Sequence, residues 1–244
     1  MFPIKDDNPQ LQTPYVTYAI ICLNLLAWFV LQGLGSHPVL GQSVCQFGLI
    51  PADLFNDFTY DTSQWPCPSD EGVGWTGFIS SMFMHGGWMH LLGNLWFLWV
   101  FGDNVEDAMG HKRFALFYLL CGLAAAATQV VANTQSAIPM VGASGAIGGV
   151  MGAYIMLYPR VKVHMLFVMV VFITTIRVPA VLMLGYWAFV QFAGGVSSLG
   201  ATGGGVAFWA HIGGFIAGAI LVFAFKDQHL LSRHPYYGWR EPRH

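Results

Sequence analysis

The sequence predicts an all-α polytopic membrane protein, a bundle of six transmembrane helices with a long outer loop between the first and second. Three observations predict it. Hydrophobic residues make up 55% of the 244 positions and charged residues only 9%, far below the roughly 25% usual in a soluble domain. Apolar stretches near the ~20-residue spanning length run over residues 16–34, 88–102, 114–133, 144–158, 178–194 and 206–225. Six spans also place every basic residue on one side: Lys5, Lys112, Arg113, Arg160, Lys162, Arg177, Lys226, Arg233, Arg240 and Arg243. The opposite segments, 35–87, 134–143 and 195–205, contain no Lys or Arg, although the first holds Asp53, Asp57, Asp61, Asp70 and Glu71. By the positive-inside rule both termini are cytoplasmic.

The first span follows Lys5, Asp6 and Asp7 and is full length, so it reads as retained and not as a cleaved signal peptide. The loop over 35–87 is too long for a plain connection and has apolar stretches of its own, such as 78–84, so it is expected to fold onto the membrane surface. Cys22 and Cys121 fall within spans and read as small hydrophobes. Cys45 and Cys67 share the outer loop, where an oxidising compartment permits one disulfide; their spacing leaves the pairing open. Residues 164–176 are apolar, too short to span and followed by Arg177, which predicts an interfacial or re-entrant piece before the fifth span. The glycine-rich stretch 194–205 reads as a flexible connector, or as a lid if a site lies beside it. A net charge of -2 with no basic stripe gives no reason to expect nucleic acid.

Two polar residues at membrane depth require an explanation. Ser144 opens the fourth span in Val141-Gly142-Ala143-Ser144-Gly145, and His211 lies within the sixth in Trp209-Ala210-His211-Ile212-Gly213-Gly214. A serine becomes a nucleophile when a neutral imidazole accepts its proton, so the pair reads as a candidate dyad. Each residue also has a structural reading: Ser144 as the N-cap of its helix, His211 as an imidazole satisfied by an interhelical hydrogen bond. Gly148 with Gly152, and Gly214 with Gly218, are small-xxx-small pairs; if these faces meet, Ser144 and His211 can meet. At the start of the second span, His90 and Asn94 share a helical face and are candidate donors to an oxyanion, or else packing between helices. His85 reads as structural, holding the outer loop. A metal centre is disfavoured, since the five-residue step from His85 to His90 parts the rings on a helix and no His-Glu-x-x-His run occurs; no cofactor is called for. The proposed spans contain no Asp or Glu, which argues against aspartyl chemistry and a proton-coupled transporter.

With Gly142-Ala143-Ser144-Gly145, His90 with Asn94, and Ala210-His211-Ile212-Gly213-Gly214 on the fourth, second and sixth spans, the chain resembles the rhomboid intramembrane serine proteases over residues 14–225. The resemblance implies Ser144 as nucleophile, His211 as general base, and His90, Asn94 and the Ser144 N–H as oxyanion stabilisers, with no acidic third member. It divides the chain into a rhomboid-like membrane domain, 1–225, and a short cytoplasmic tail, 226–244. Implied partners are transmembrane segments of other membrane proteins, cut near helix-weakening residues with a small residue at the cleaved position, and the bilayer itself. A lateral gate is implied between the second and fifth spans, with Tyr186, Trp187, Phe189 and Phe192 as gate or lipid-facing residues. Compactness and one-sided basic residues fit a bacterial inner membrane. Two positions depart from the family pattern. Gly148 stands where an aromatic usually packs on the imidazole, with Trp209, Phe208 or Trp96 as candidate substitutes, and Trp75-Thr76 lacks the arginine of the outer-loop Trp-Arg pair. The alternative function is a catalytically weak or inactive relative that binds transmembrane helices for quality control or trafficking.

Overall fold

The computed structural model of the chain describes residues 2–55, 67, 73–169, 172–198 and 205–237. In chain order these form strand β1 (Phe2–Asp6), helices α1 (Tyr15–Val30), α2 (Val39–Phe47), α3 (Pro51–Leu54), α4 (Gly77–Ser80), α5 (Trp88–Met109), α6 (His111–Ala132) and α7 (Ser144–Leu157), strands β2 (Lys162–Met169) and β3 (Phe172–Pro179), then helices α8 (Ala180–Ser197), α9 (Phe208–Phe225) and α10 (Gln228–Ser232). The bundle is an all-α polytopic membrane fold whose six longer helices coincide with the six apolar stretches. Only three of them, α6, α8 and α9, are long and apolar enough by length and composition to cross a membrane; α1 and α7 are apolar but shorter. The expectation of six full-length spans is corrected for physical reasons. Helix α7 stops at Tyr158 before Pro159, and the last turns of α5 carry Asp103, Glu106 and Asp107. Asp57, Asp61, Asp70, Glu71, Arg240, Arg243 and residues 199–204 of the glycine-rich connection lie outside the described residues.

The α5 carboxylates hold the chain's first helix in place. Helix α1 has no side-chain cap of its own, and the buried Glu106 supplies one from α5. It accepts the N–H groups of Val16 (2.9 Å) and Thr17 (2.8 Å) and the Thr17 hydroxyl (2.8 Å), placing negative charge at a helix N-terminus. Asp107 accepts from the Leu11 and Gln12 N–H groups just upstream. Helix α6 then follows α5 through a single residue, Gly110, at φ +75°, a backbone conformation that favours glycine.

Within the stretch 164–176, expected as an interfacial or re-entrant piece, residues 164–169 and 172–176 belong to the antiparallel strands β2 and β3, with His164 opposite Arg177 and Leu166 opposite Thr175. A short apolar run of this length is ambiguous between helix and strand, and its Val, Ile and Thr content favours a pleated surface. The hairpin is completed by β1, with Phe2 opposite Leu166 and Asp6 opposite Val163. Side chains tie this sheet to the bundle. The Tyr154 hydroxyl donates to the Asp6 carboxylate, the Trp96 indole donates to the Pro3 carbonyl, and His164 Nε2 lies 2.6 Å from Asp7 Oδ1.

At the centre, α7 and α9 pack backbone against backbone. A Cβ on Gly214 would lie 1.9 Å from the Gly145 carbonyl oxygen, one on Gly218 1.9 Å from that of Gly149, and one on Gly152 2.0 Å from that of Phe215. The two glycine faces seen in the sequence therefore meet. The outer loop packs over the end of the bundle where α7 begins: Leu49 and Met140 exchange two backbone hydrogen bonds (2.9 and 2.8 Å), and Ala52 N donates to Ser136 O. Cys45 and Cys67 are joined by a disulfide, with Cα atoms 5.3 Å apart.

Two outcomes test this architecture. Gly218→Ala inserts a methyl against a carbonyl and should lower stability by about 1–3 kcal/mol, whereas Gly185→Ala on α8, where a Cβ meets nothing within 4 Å, should be neutral or slightly stabilising; denaturant unfolding in detergent reads both. Burial pushes the Asp6 carboxyl up to about 6, against the opposing hydrogen bond from Tyr154. The folded chain therefore binds this proton more tightly than the unfolded one, and its contribution to stability is lost as pH rises from about 4 to about 6. Unfolding midpoints across that range should decline for the wild type relative to Asp6→Asn and run parallel above it.

Candidate active site

Ser144 is the first residue of α7, and the preceding turn explains how it is presented. Gly142 has φ +125°, where an L side chain is strained, and its N–H donates to the Ser81 carbonyl (2.8 Å). A Cβ at Gly142 would lie 2.7 Å from His90 Nε2 and 3.5 Å from Ser144 Oγ, so only glycine lets the imidazole and the hydroxyl approach together. The N-cap is Ala143, without any side-chain cap bond, so Ser144 does not act as the N-cap. Its Oγ is 2.7 Å from His211 Nε2 instead. Helical bonding starts with Ile147 N to Ala143 O (3.0 Å), which leaves the N–H groups of Ser144, Gly145 and Ala146 without helical acceptors.

His211 is held at both ring nitrogens. Nδ1 lies 2.7 Å from Gln191 Oε1 on α8. An amide oxygen can only accept, so Nδ1 carries the proton and Nε2 is the acceptor for the Ser144 hydroxyl. The ring is also flanked by Trp187 of α8, with centroids 5.9 Å apart. Of the expected substitutes for an aromatic at position 148, none takes that place. Phe208 packs where a Cβ on Gly194 would be and Trp209 lies against Gly195, while Trp96 bonds the N-terminal strand. The reason is steric: a Cβ on Gly148 would lie 3.0 Å from the His211 carbonyl oxygen and 3.7 Å from the Trp187 ring. Helix α9 thus packs closely on α7 at this position, and the ring comes from the neighbouring helix. One turn above, Gln129 of α6 accepts the Ala210 N–H (3.2 Å) and caps the start of α9.

His90 accepts the Gly86 N–H at Nδ1 (3.2 Å), which places its proton on Nε2, the atom beside Gly142. Asn94 donates one amide hydrogen to the His90 carbonyl (2.9 Å), bonding its own helix. His85 and His90 do not part as a continuous helix would dictate. The chain breaks at Gly86-Gly87 before α5, and the two rings meet edge to face at 5.2 Å. His85 is fully buried; burial foremost, then His90, pushes it down to about 3 against the opposing Phe83 backbone, so it is neutral at physiological pH. Its backbone is clamped by Gln32 at the end of α1, which donates to the His85 carbonyl (2.7 Å) and accepts its N–H (2.8 Å). A cavity of ≈ 20 Å³, room for about one water, lies beside Ser144 among Met82, Gly122, Ala125, Gly145 and Ala210.

Helix α8 divides the aromatic cluster that the sequence suggested for a gate. Tyr186, Phe189 and Phe192 are exposed, while Trp187 packs inward with Leu184 and Gln191. Gln191 and Gln32 were not assigned site roles from sequence, and Trp187 was read as a gate or lipid-facing residue, not as a neighbour of His211. The available signal was a lone amide inside an apolar helix, four residues after a tryptophan and so on the same face.

Residues 72–228 match the Rhomboid domain family over more than half of the chain. The chain belongs to the Rhomboid family. It is 30% identical over 205 residues to the Rhomboid protease GluP of Bacillus subtilis, covering 84% of this chain and 34% of that protein. It is also 30% identical over 177 residues to Rhomboid-related protein 2 of Mus musculus, 68% of this chain and 54% of that one. RHOMBOID-like protein 5 of Arabidopsis thaliana is 34% identical over 84 residues, 34% and 27% of the respective chains. The chain thus spans less than two thirds of each relative's own length. The family includes active serine proteases.

The Gln32 clamp holds the His85 backbone just before the start of α5. Gln32→Ala leaves a buried N–H and a buried carbonyl of His85 unpaired, which should cost about 2–4 kcal/mol, measured by denaturant unfolding in detergent.

Proposed function

We propose that this rhomboid is an intramembrane serine endopeptidase that hydrolyses peptide bonds in or near transmembrane segments of other membrane proteins. The observation that carries the reading is the 2.7 Å contact between Ser144 Oγ and His211 Nε2. In the proposed reaction Ser144 Oγ attacks the scissile carbonyl carbon while its proton passes to His211 Nε2. The negative charge that develops on the carbonyl oxygen is met by the Ser144 N–H, by the His90 Nε2–H and by the second amide hydrogen of Asn94. His211 then returns the proton to the leaving amine, and water hydrolyses the acyl-enzyme by the same base in the reverse order.

The reading includes six membrane crossings, with both termini on the basic, cytoplasmic side of a bacterial inner membrane and Ser144 at the outer end of α7, where water can reach it. A substrate helix must unwind before its carbonyl is open to attack, so Gly or Pro near the cut should favour cleavage. The confined, small-residue cavity beside Ser144 favours a small side chain at the cleaved position. Changing that residue from Ala to Phe in a single-span test substrate should lower kcat/KM by about 100-fold or more.

The deciding experiment compares wild type with Ser144→Ala and His211→Ala, purified in detergent, on the same substrate and with a fluorophosphonate probe. Loss of about 10³-fold or more in both variants is expected. A folded wild type that neither cleaves nor reacts with the probe would instead favour the non-catalytic, helix-binding reading.

A further inference from the structure

Gln191 and Trp187 stand four residues apart on α8, on one helical face, and both touch the His211 ring: the amide oxygen at Nδ1, 2.7 Å away, the indole beside the ring plane. Helix α7 supplies neither contact, because its residue 148 is a glycine packed against the α9 backbone. Gln191 is buried and makes its contact with no other side chain among the described hydrogen bonds. A neutral imidazole has two tautomers, and only the one protonated at Nδ1 leaves Nε2 able to accept from Ser144. Without a hydrogen-bond partner on Nδ1, the protonated Nε2 tautomer would donate to the serine hydroxyl and the base would be lost.

We propose that Gln191 is a positioning residue that holds His211 in the Nδ1–H tautomer and so makes the base on α9 dependent on its neighbour α8. This rests on the serine-protease reading of the site. It departs from a two-residue dyad in one respect: the imidazole is oriented by a third group, a neutral amide in place of a carboxylate. Neutrality suits the location, since a carboxylate at this depth would itself need desolvation. Helix α8 also leaves Leu182, Tyr186, Phe189 and Phe192 exposed, so the element that orients the base is held to the bundle along one face only. Displacing α8 from α9 would withdraw the amide and the indole together and leave the dyad unoriented.

The test uses the full chain in detergent with two variants, Gln191→Leu, which keeps the apolar bulk, and Gln191→Glu, which keeps an acceptor for Nδ1–H. Gln191→Leu should lower kcat by about 10- to 100-fold with KM within about twofold of wild type, and Gln191→Glu should recover most of that loss. A second readout is independent of turnover: ¹⁵N spectra of histidine-labelled protein, with His211 assigned by its absence in His211→Ala. Wild type should show a protonated Nδ1 and an unprotonated Nε2, and Gln191→Leu should populate the other tautomer. Unchanged kcat in Gln191→Leu, equal loss in both variants, or a His211 tautomer indifferent to Gln191→Leu would overturn the proposal. If wild type itself neither cleaves nor takes the fluorophosphonate, the protease reading fails while the ¹⁵N comparison still decides what Gln191 does.

Discussion

The contact between α7 and α9 is the constraint on which the rest of this molecule depends. Each candidate reacting group sits on one of these helices, and neither helix has another route to the other's backbone. Glycines at 145, 149 and 152 facing 214 and 218 remove every Cβ that would separate the two axes. Lipid tails are as apolar as leucine, so close van der Waals contact, and not exclusion of water, has to hold such helices together. The 2.7 Å separation of Ser144 and His211 is then a by-product of packing, set by how near two backbones can come.

The same closeness dictates the surroundings of the imidazole. Position 148 is a glycine whose Cβ would lie 3.0 Å from the His211 carbonyl oxygen, and no α7 side chain reaches the imidazole from there. Trp187 fills the space from α8, and Gln191 arrives on the same face. The missing side chain on one helix is thus matched by two side chains on another, and the imidazole is contacted from α7 and α8 as well as carried by α9.

Polar groups in the bundle are sorted by end. Near Ser144 they are neutral: Gln32 clamps a backbone, Gln129 caps α9 and Gln191 meets His211. At the far end they are carboxylates, with Glu106 and Asp107 bonded to the N–H groups that lead into α1. An amide satisfies donors and acceptors without a charge to desolvate, which suits the interior, while charged groups sit with the sheet and the basic residues. The absence of acidic residues from the apolar stretches themselves was therefore informative.

Much of this was legible in the sequence, and the division has a physical basis. The positions of the six apolar helices, the glycine faces at 148/152 and 214/218, and Ser144, His211 and His90 as polar residues within or at the ends of apolar stretches all follow from hydropathy, spacing and the cost of polar groups in lipid, which are properties of single segments. The hairpin of β2 and β3 was not legible, because a short apolar run is stabilised as strand only by its partners, here each other and an N-terminal strand more than 150 positions away. Nor was the substitute for an aromatic at 148, since Trp209 and Phe208 are nearer to His211 in sequence, yet it is the Trp187 ring that lies beside the imidazole. The sequence alone determined which residue types enter the bundle and at what depth. Which side chains meet there, above all Gln191 with His211, was decided by how closely the helices pack, a quantity that no single segment contains.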